Sequence, residues 1–285
     1  MQQLFKNVAL LGCGLIGGSL GLEMKKRGIA KRIIGYSRSQ ANLNLAKKRG
    51  LIHEGSNNLK QVISKADFII LASPLLASLD QLQMIAHFAK PNTLVMDVGS
   101  TKFQMVRKAE KIFPQTLSFI GAHPMAGSEK SGPLSAYLGL FKGKPCILTP
   151  GSSCSKLDLI KIKKLWNMLG SNVVIFSSLK HDQLLSTVSH LPQVISSVLF
   201  ATVTKLVSMQ DLEKLSGNGF KDTTRIAASD SLMWRDIFVT NRNFVLKSIH
   251  VFEKELKKIQ KLIRQKNAAP LYRYLSQVSS MRRGF

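Results

Sequence analysis

The sequence predicts a doubly wound, mostly parallel α/β sheet followed by an all-helical domain. Three observations carry this. Short apolar runs alternate with polar segments of helical periodicity through the first 178 residues. A glycine-rich turn joins the first apolar run to the first helical pattern. After Ser177 and Ser178 the strand-length apolar runs stop and long helical patterns take over. The expected division is a Rossmann-like dinucleotide-binding domain at residues 1–178 and an all-helical domain at 179–285.

The expected strands, in order, are NVALLG (7–12), RIIGYS (32–37), DFIILAS (67–73), TLVMDVG (93–99), SFIGAH (118–123), PCILTP (145–150) and NVVIF (172–176). Each is a short apolar run of the kind a strand buried on both faces requires. Helical periodicity fills 17–28, 39–49, 75–89, 101–112 and about 154–169. The second half opens with a long apolar helix at 179–208 carrying Pro192, where a kink is expected. A further helix is expected over roughly 231–266, with Ile249, Phe252, Leu256, Ile259 and Ile263 on one face as core or subunit interface.

Hydrophobic residues make up 45% of the chain and charged residues 20%, an ordinary globular balance. No unbroken apolar run reaches the roughly 18 residues of a membrane span, and no secretory leader pattern is present. The expectation is a soluble, cytoplasmic protein with no membrane partner. Cys13, Cys146 and Cys154 have neither metal nor redox spacing, and no histidine cluster accompanies them. A disulfide framework and a bound metal are therefore not expected. The formal charge of +25 is dispersed, without aromatic interleaving or a basic tail. That pattern argues against a nucleic-acid partner and for a positive field that collects phosphates and carboxylates.

GCGLIGGSL (12–20) directly follows the first strand and opens the first helix. Gly12 permits the tight turn, Gly14 lets a pyrophosphate approach the backbone, and Gly17 allows close helix–strand packing. Leu15 and Ile16 open the helix whose N–H groups would face the phosphates. Ser73 and Pro74, in the loop after the 67–73 strand, complete the cofactor-binding set. The second strand ends in Ser37 and Arg38 with no carboxylate. A Ser–Arg pair can accept a 2′-phosphate, so the cofactor is NAD or NADP with a tilt to NADP.

Three loops leave carboxyl ends of strands, where such sheets bind ligands: 72–74, DVGSTK (97–102) and AHPMAGSE (122–129). The last sets His123, Ser128 and Glu129 in one short turn, more chemistry than chain reversal needs. The helical half adds SHLPQ (189–193) and GNGFKDTTRIAASDSLMWRDI (217–237), the latter rich in Asp222, Arg225, Ser229, Asp230 and Trp234.

On GxGLIGGSL at 12–20, DVGSTK at 97–102, HPMAGSE at 123–129, SHLP at 189–192 and GFKDTTRIAASD with MWRDI at 219–237, the chain resembles the prephenate/arogenate dehydrogenase family of tyrosine biosynthesis. The resemblance runs from near the N-terminus to about residue 240. It implies an oxidative decarboxylation of prephenate or arogenate. Hydride goes from the hydroxyl-bearing ring carbon to the nicotinamide, carbon dioxide leaves, and the ring becomes aromatic. It implies a homodimer formed through the helical half, with the active site between the halves.

By the same resemblance His123 is the general base on the substrate hydroxyl. Ser100 relays between that hydroxyl and the nicotinamide, or N-caps the following helix. Arg225 binds a substrate carboxylate, or pairs with Asp222 at i, i+3 spacing. Glu129 and Asp222 are expected to form an ionic gate with Arg225, and Glu129 could meet the ammonium group of arogenate. Ser128 and Ser229 are polar lining residues, and Trp234 packs. Many family members read SHLPH, whereas this chain has Gln193 as the last residue; Gln193 can donate to a keto or carboxylate oxygen but carries no charge. His190 lines the site or packs in the kinked helix.

The rival readings are a β-hydroxyacid dehydrogenase or imine reductase, and a nucleic-acid-binding protein. The former would favour a catalytic lysine on the long helix. Lys180 and Lys205 are the lysines there, and neither has polar catalytic neighbours in sequence.

Overall fold

The computed structural model describes residues 3–127 and 132–285. The first half is built from β1 (Phe5–Leu11), α1 (Leu15–Lys26), β2 (Ala30–Tyr36), α2 (Gln40–Lys48), β3 (Glu54–Ser56), α3 (Leu59–Lys65) and β4 (Phe68–Leu71). It continues through α4 (Leu75–Phe88), β5 (Leu94–Asp97), α5 (Phe103–Ile112), β6 (Ser118–Pro124), β7 (Pro145–Pro150), α6 (Lys156–Met168) and β8 (Asn172–Ile175). The strands form one sheet in the order β3-β2-β1-β4-β5-β6-β7-β8. All neighbours are parallel except β6 and β7. The chain winds outward from β1 to β3 and then returns to β4 on the other side of β1. This reversal opens a crevice at the carboxyl ends of β1 and β4.

The apolar runs are continuous because helices cover both faces. Val8, Leu10, Phe68, Ile70, Met96 and Ile120 face one core with Leu20, Met24 and Trp166. The alternating residues Ala9, Leu11, Ile69, Leu71, Val95 and Phe119 face the other with Leu82, Ile85 and Met105. All seven expected strands are present. The short β3 was not expected. It has no apolar residue, only Glu54, Gly55 and Ser56, and it joins the sheet edge through backbone pairing with β2. The two-turn α3 after it was also not expected.

From Ser178 onward the described chain is helical: α7 (Ser178–Leu185), a π-helical turn (Ser186–His190), α8 (Leu191–Leu206), α9 (Met209–Leu215) and α10 (Asn218–Thr224). A 3₁₀ turn (Arg225–Ala228), α11 (Ser231–Thr240), α12 (Arg242–Arg264) and α13 (Ala269–Arg283) follow. The kink expected at Pro192 takes the form of the π-helical turn just before it, which accommodates the missing N–H and the ring. The single helix expected at 231–266 is two helices that meet at Asn241, where φ is −113° and ψ is 23°.

The stripe on α12 is not core of this chain: Leu256 is 45% and Ile263 63% exposed. The run Ser178–Leu206 is, by length and composition, apolar enough to cross a membrane, yet only 28% of its most apolar window is buried. Leu184, Val188 and Val198 are among its exposed residues.

Candidate active site

The glycine turn is shaped for a dinucleotide. Gly12 sits at φ +107°, and a Cβ there would lie 2.5 Å from the Ala72 carbonyl carbon. A Cβ on Gly17 would lie 2.1 Å from the Gly12 oxygen, so the helix could not pack so close. Gly14 differs: nothing lies within 4 Å of its would-be Cβ. It is also the N-cap of α1, and no side chain caps that helix. Its first-turn N–H groups are left without a side-chain cap, a fit for a pyrophosphate.

Leu15 is buried and Ile16 half-buried in the first turn. Ser73 forms the opposite wall, donating its hydroxyl to the Leu11 carbonyl at 3.1 Å and accepting from Gln81 Nε2 at 3.1 Å. Pro74 starts α4 beside it. At the end of β2, Ser37 Oγ accepts from the Ser39 N–H at 3.2 Å, and Arg38 is exposed with no ion pair among the described residues.

The second half of the site starts at the carboxyl end of β6, where His123 is 9% exposed. Its Nδ1 lies 2.8 Å from Nε2 of His181 on α7, and His181 Nδ1 lies 2.7 Å from Asp182 Oδ1. Asp182 also accepts from the backbone N–H of Lys102 at 2.8 Å and of Phe103 at 2.9 Å. These N–H groups open α5, whose own N-cap Lys102 offers no side-chain cap. Asp182 is the cap instead, so the expected alternative of Ser100 as N-cap is corrected. Ser100 is half-buried and makes no hydrogen bond among the described residues.

Lys102 is fully buried and ion-paired with the buried Asp97, which also accepts from the Gly99 N–H at 2.9 Å. Gly121 makes room for that pair: a Cβ there would meet Lys102 Cδ at 2.8 Å and Thr149 Oγ1 at 2.3 Å. Burial pushes the Asp97 carboxyl up, against the pull of Lys102. Burial drives His123 well below the usual histidine range, and the positive charge of Lys102 acts in the same direction, as would any charge on His181 or His190. His123 is therefore a neutral imidazole near pH 7.

His190 and Gln193 place SHLPQ against the 217–237 segment. His190 is 1% exposed, and its Nδ1 lies 3.0 Å from Asn241 Nδ2. The same amide nitrogen donates to the Asp182 carbonyl at 2.9 Å. Burial pushes His190 down to about 4, with Asp182 pulling up and His181 pushing down. Trp234 packs edge-on to His190 with ring centroids 5.9 Å apart, and against Phe238 at 5.4 Å.

Gln193 Nε2 donates to the Ile226 carbonyl at 3.0 Å. Its Oε1, with Trp234 Nε1, Ser196 Oγ and Asn241 Oδ1, is buried without a hydrogen-bond partner among the described residues. A group of orphaned polar atoms such as this marks a site that a polar ligand can complete.

Arg225 and Asp222 are exposed, and neither forms an ion pair among the described residues. The expected Asp222–Arg225 pair is thus absent, as is the Asp222 arm of the gate. In water such a pair is worth too little to order two side chains. Ser229 is half-buried at the end of the 3₁₀ turn. Ser128 and Glu129 lie outside the described residues. Lys180 lies over the Phe176 ring at 5.0 Å and Lys205 is exposed, so neither has the surroundings of a catalytic lysine.

Sequence reasoning missed His181, Asp182, Asp97, Lys102 and Asn241. Asp97 and Lys102 flank Ser100 inside the DVGSTK motif. The adjacent His–Asp pair just past the last strand was the available signal for the other part of the network. Together these groups hold a neutral ring nitrogen beside the crevice, where it can take a proton from a hydroxyl.

Residues 20–175 match the family model for the nucleotide-binding domain of prephenate dehydrogenase, and residues 177–277 match that for its dimerization domain. The chain is 35% identical to the prephenate dehydrogenase of Bacillus subtilis, covering 100% of this chain and 77% of that one. A crystal structure of the A. aeolicus prephenate dehydrogenase in complex with hydroxyphenyl propionate and NAD+ is similar at a TM-score of 0.90 and 35% identity, covering 100% of this chain and 98% of that one. The structure of a Synechocystis arogenate dehydrogenase is similar at a TM-score of 0.82 and 28% identity, over 98% and 99% of the two chains.

Proposed function

The chain belongs to the prephenate dehydrogenase family, and we propose from that premise that it oxidatively decarboxylates prephenate to 4-hydroxyphenylpyruvate. The observation that carries the reading is His123: a buried, neutral imidazole on the same strand-end edge as the Gly12–Gly17 cradle. Three strand spacings separate β1 from β6, about 14 Å, a distance an extended dinucleotide spans.

His123 takes the hydroxyl proton of the substrate while Ser100 orients that hydroxyl. The bound nicotinamide supplies the hydride acceptor. Arg225 holds a substrate carboxylate, and Gln193, His190, Ser229 and Asp222 line the rest of the pocket. Gly12, Gly14 and Gly17, with Leu15, Ile16, Ser73 and Pro74, hold the dinucleotide. Ser37 and Arg38 select NADP over NAD by receiving the 2′-phosphate, a reading supported by the unpaired, exposed Arg38.

One observation favours arogenate as the alternative substrate. The Ile226 carbonyl holds the Gln193 amide nitrogen, so the buried Oε1 is left as an acceptor. An ammonium group would complete it, and a carboxylate would not.

The assembly is a homodimer through the helical half, in the cytoplasm. The matched dimerization-domain model and the exposed Leu184, Val188, Val198, Leu246 and Val251 support the former, and three free thiols the latter.

The test is reduced-nicotinamide formation with prephenate or arogenate crossed against NAD⁺ or NADP⁺. Turnover with at least one pair is expected, and His123→Asn should lower kcat by about 10²–10⁴ with cofactor affinity unchanged. Silence in all four mixtures, or full activity of the variant, overturns the reading.

A further inference from the structure

We infer that His181 and Asp182 are positioning residues that lock His123 in the one tautomer able to act as a base. This rests on the reading of His123 given above, and the argument is one of donors and acceptors. Asp182 receives three N–H donors: Lys102 N, Phe103 N and His181 Nδ1. Two of these are backbone amides that can only donate, so Asp182 acts as an acceptor throughout. His181 must then carry its proton on Nδ1, which leaves Nε2 as an acceptor. Facing it at 2.8 Å, His123 Nδ1 must carry the proton. The lone pair of His123 is thereby left on Nε2, the atom the proposed chemistry needs.

The arrangement also settles where charge goes. When Nε2 takes the substrate's hydroxyl proton, the imidazolium still donates Nδ1–H to His181, and Asp182 lies one ring further on. The groups facing His123 from its neighbours are His181 on α7, Lys102 before α5, His190 on the π-helical turn and the Cys146 thiol on β7. Three of the four can carry positive charge. Asp182, acting through His181, answers that burden without placing an anion against the ring, where it would raise the basicity and trap the proton.

The capping of α5 by Asp182 is a separate, structural duty, so variants should leave Asp182 in place. His181→Phe removes the acceptor and keeps ring volume. His181→Gln keeps an acceptor for His123 and a donor for Asp182 on neighbouring atoms. The readouts are the His123 tautomer, from nitrogen NMR of histidine-labelled protein without substrate, and steady-state kinetics.

The native protein should show Nδ1–H on His123. His181→Phe should lose that bias and lower kcat by about 10²–10⁴, the range for a misplaced base proton, with KM and cofactor affinity unchanged. His181→Gln should keep the tautomer and restore most of the rate. An Nε2–H tautomer in the native protein overturns the inference. So does a His181→Phe enzyme within threefold of native kcat, or a His181→Gln enzyme no faster than His181→Phe. If His181→Phe does not fold, the native tautomer and His181→Gln decide alone. If the native protein turns over neither substrate, the functional reading fails while the tautomer still tests the network.

Discussion

Acidification should unfold this protein through His190. The ring is 1% exposed on the π-helical turn, and its Nδ1 faces the Asn241 amide, which can only offer a proton. In an unfolded chain a histidine titrates near 6.5; here burial lowers it to about 4. Between those values the unfolded chain holds a proton that the folded chain refuses. Stability is therefore fully present above pH 6.5 and falls as pH drops towards 4. Each pH unit of that gap is worth ~1.36 kcal/mol, so the whole gap amounts to about 3 kcal/mol, a large share of a typical folding free energy of about 5–15 kcal/mol.

The assay is equilibrium urea unfolding from pH 7 to pH 4 for the native protein and His190→Gln. Carboxylates and the other histidines titrate in both, so the difference between the two curves isolates His190. The native protein should lose about 3 kcal/mol more than the variant over that range. Curves that stay parallel to within about 0.5 kcal/mol would mean that His190 is solvated or charged in the folded state, and the proposed burial against Asn241 would be wrong.

Gly14→Ala should leave folding nearly unchanged, because nothing lies within 4 Å of the new methyl, yet weaken dinucleotide binding at least tenfold in a fluorescence titration. Unchanged affinity would remove Gly14 from the cofactor cradle. Lys102→Met should cost about 3–5 kcal/mol by leaving the Asp97 carboxylate buried without its cation. Adding Asp97→Asn should recover much of that in thermal melts of both variants, and an additive double mutant would show that the pair is not coupled.

The sheet was legible because parallel strands buried on both faces write themselves as unbroken apolar runs, as in DFIILAS. The Gly12–Gly17 turn was legible because steric demand at two of its glycines leaves little choice of residue. β3 was not, since Glu54–Ser56 has no apolar residue and is held by backbone bonds alone. The break at Asn241 was hidden for a different reason: the apolar period of 231–266 continues through it, and only the inward hydrogen bonds of Asn241 divide the helix. In the site, His123 and Ser100 could be picked from their motifs. The partner of His123 was missed: the adjacent His181–Asp182 pair was visible, but the two histidines are 58 residues apart and no local pattern records a contact between a strand end and a helix of the other half.

Five helices of the sheet half, α1 to α5, start at the carboxyl ends of parallel strands, and the chain treats them differently: α2 and α3 are capped by their own Ser39 and Asn58. α5 is capped by Asp182, and α4, whose N-cap Pro74 has no polar side chain, receives Asp236 Oδ2 on the Leu76 N–H at 3.2 Å. Both carboxylates come from the helical half. α1 has neither a side-chain cap nor a carboxylate, only the bare Gly14. A helix N-terminus attracts an anion whatever its source. The ends of α4 and α5 therefore fasten the halves together, and that of α1 is left for phosphate. The fastening also fixes chemistry, because Asp182 spends its other contact on His181. An apolar seam of the same area would hold the halves at least as strongly, but it would not dictate which nitrogen of His123 carries the proton. On the inference drawn above, the polar seam does both, through the one carboxylate of Asp182.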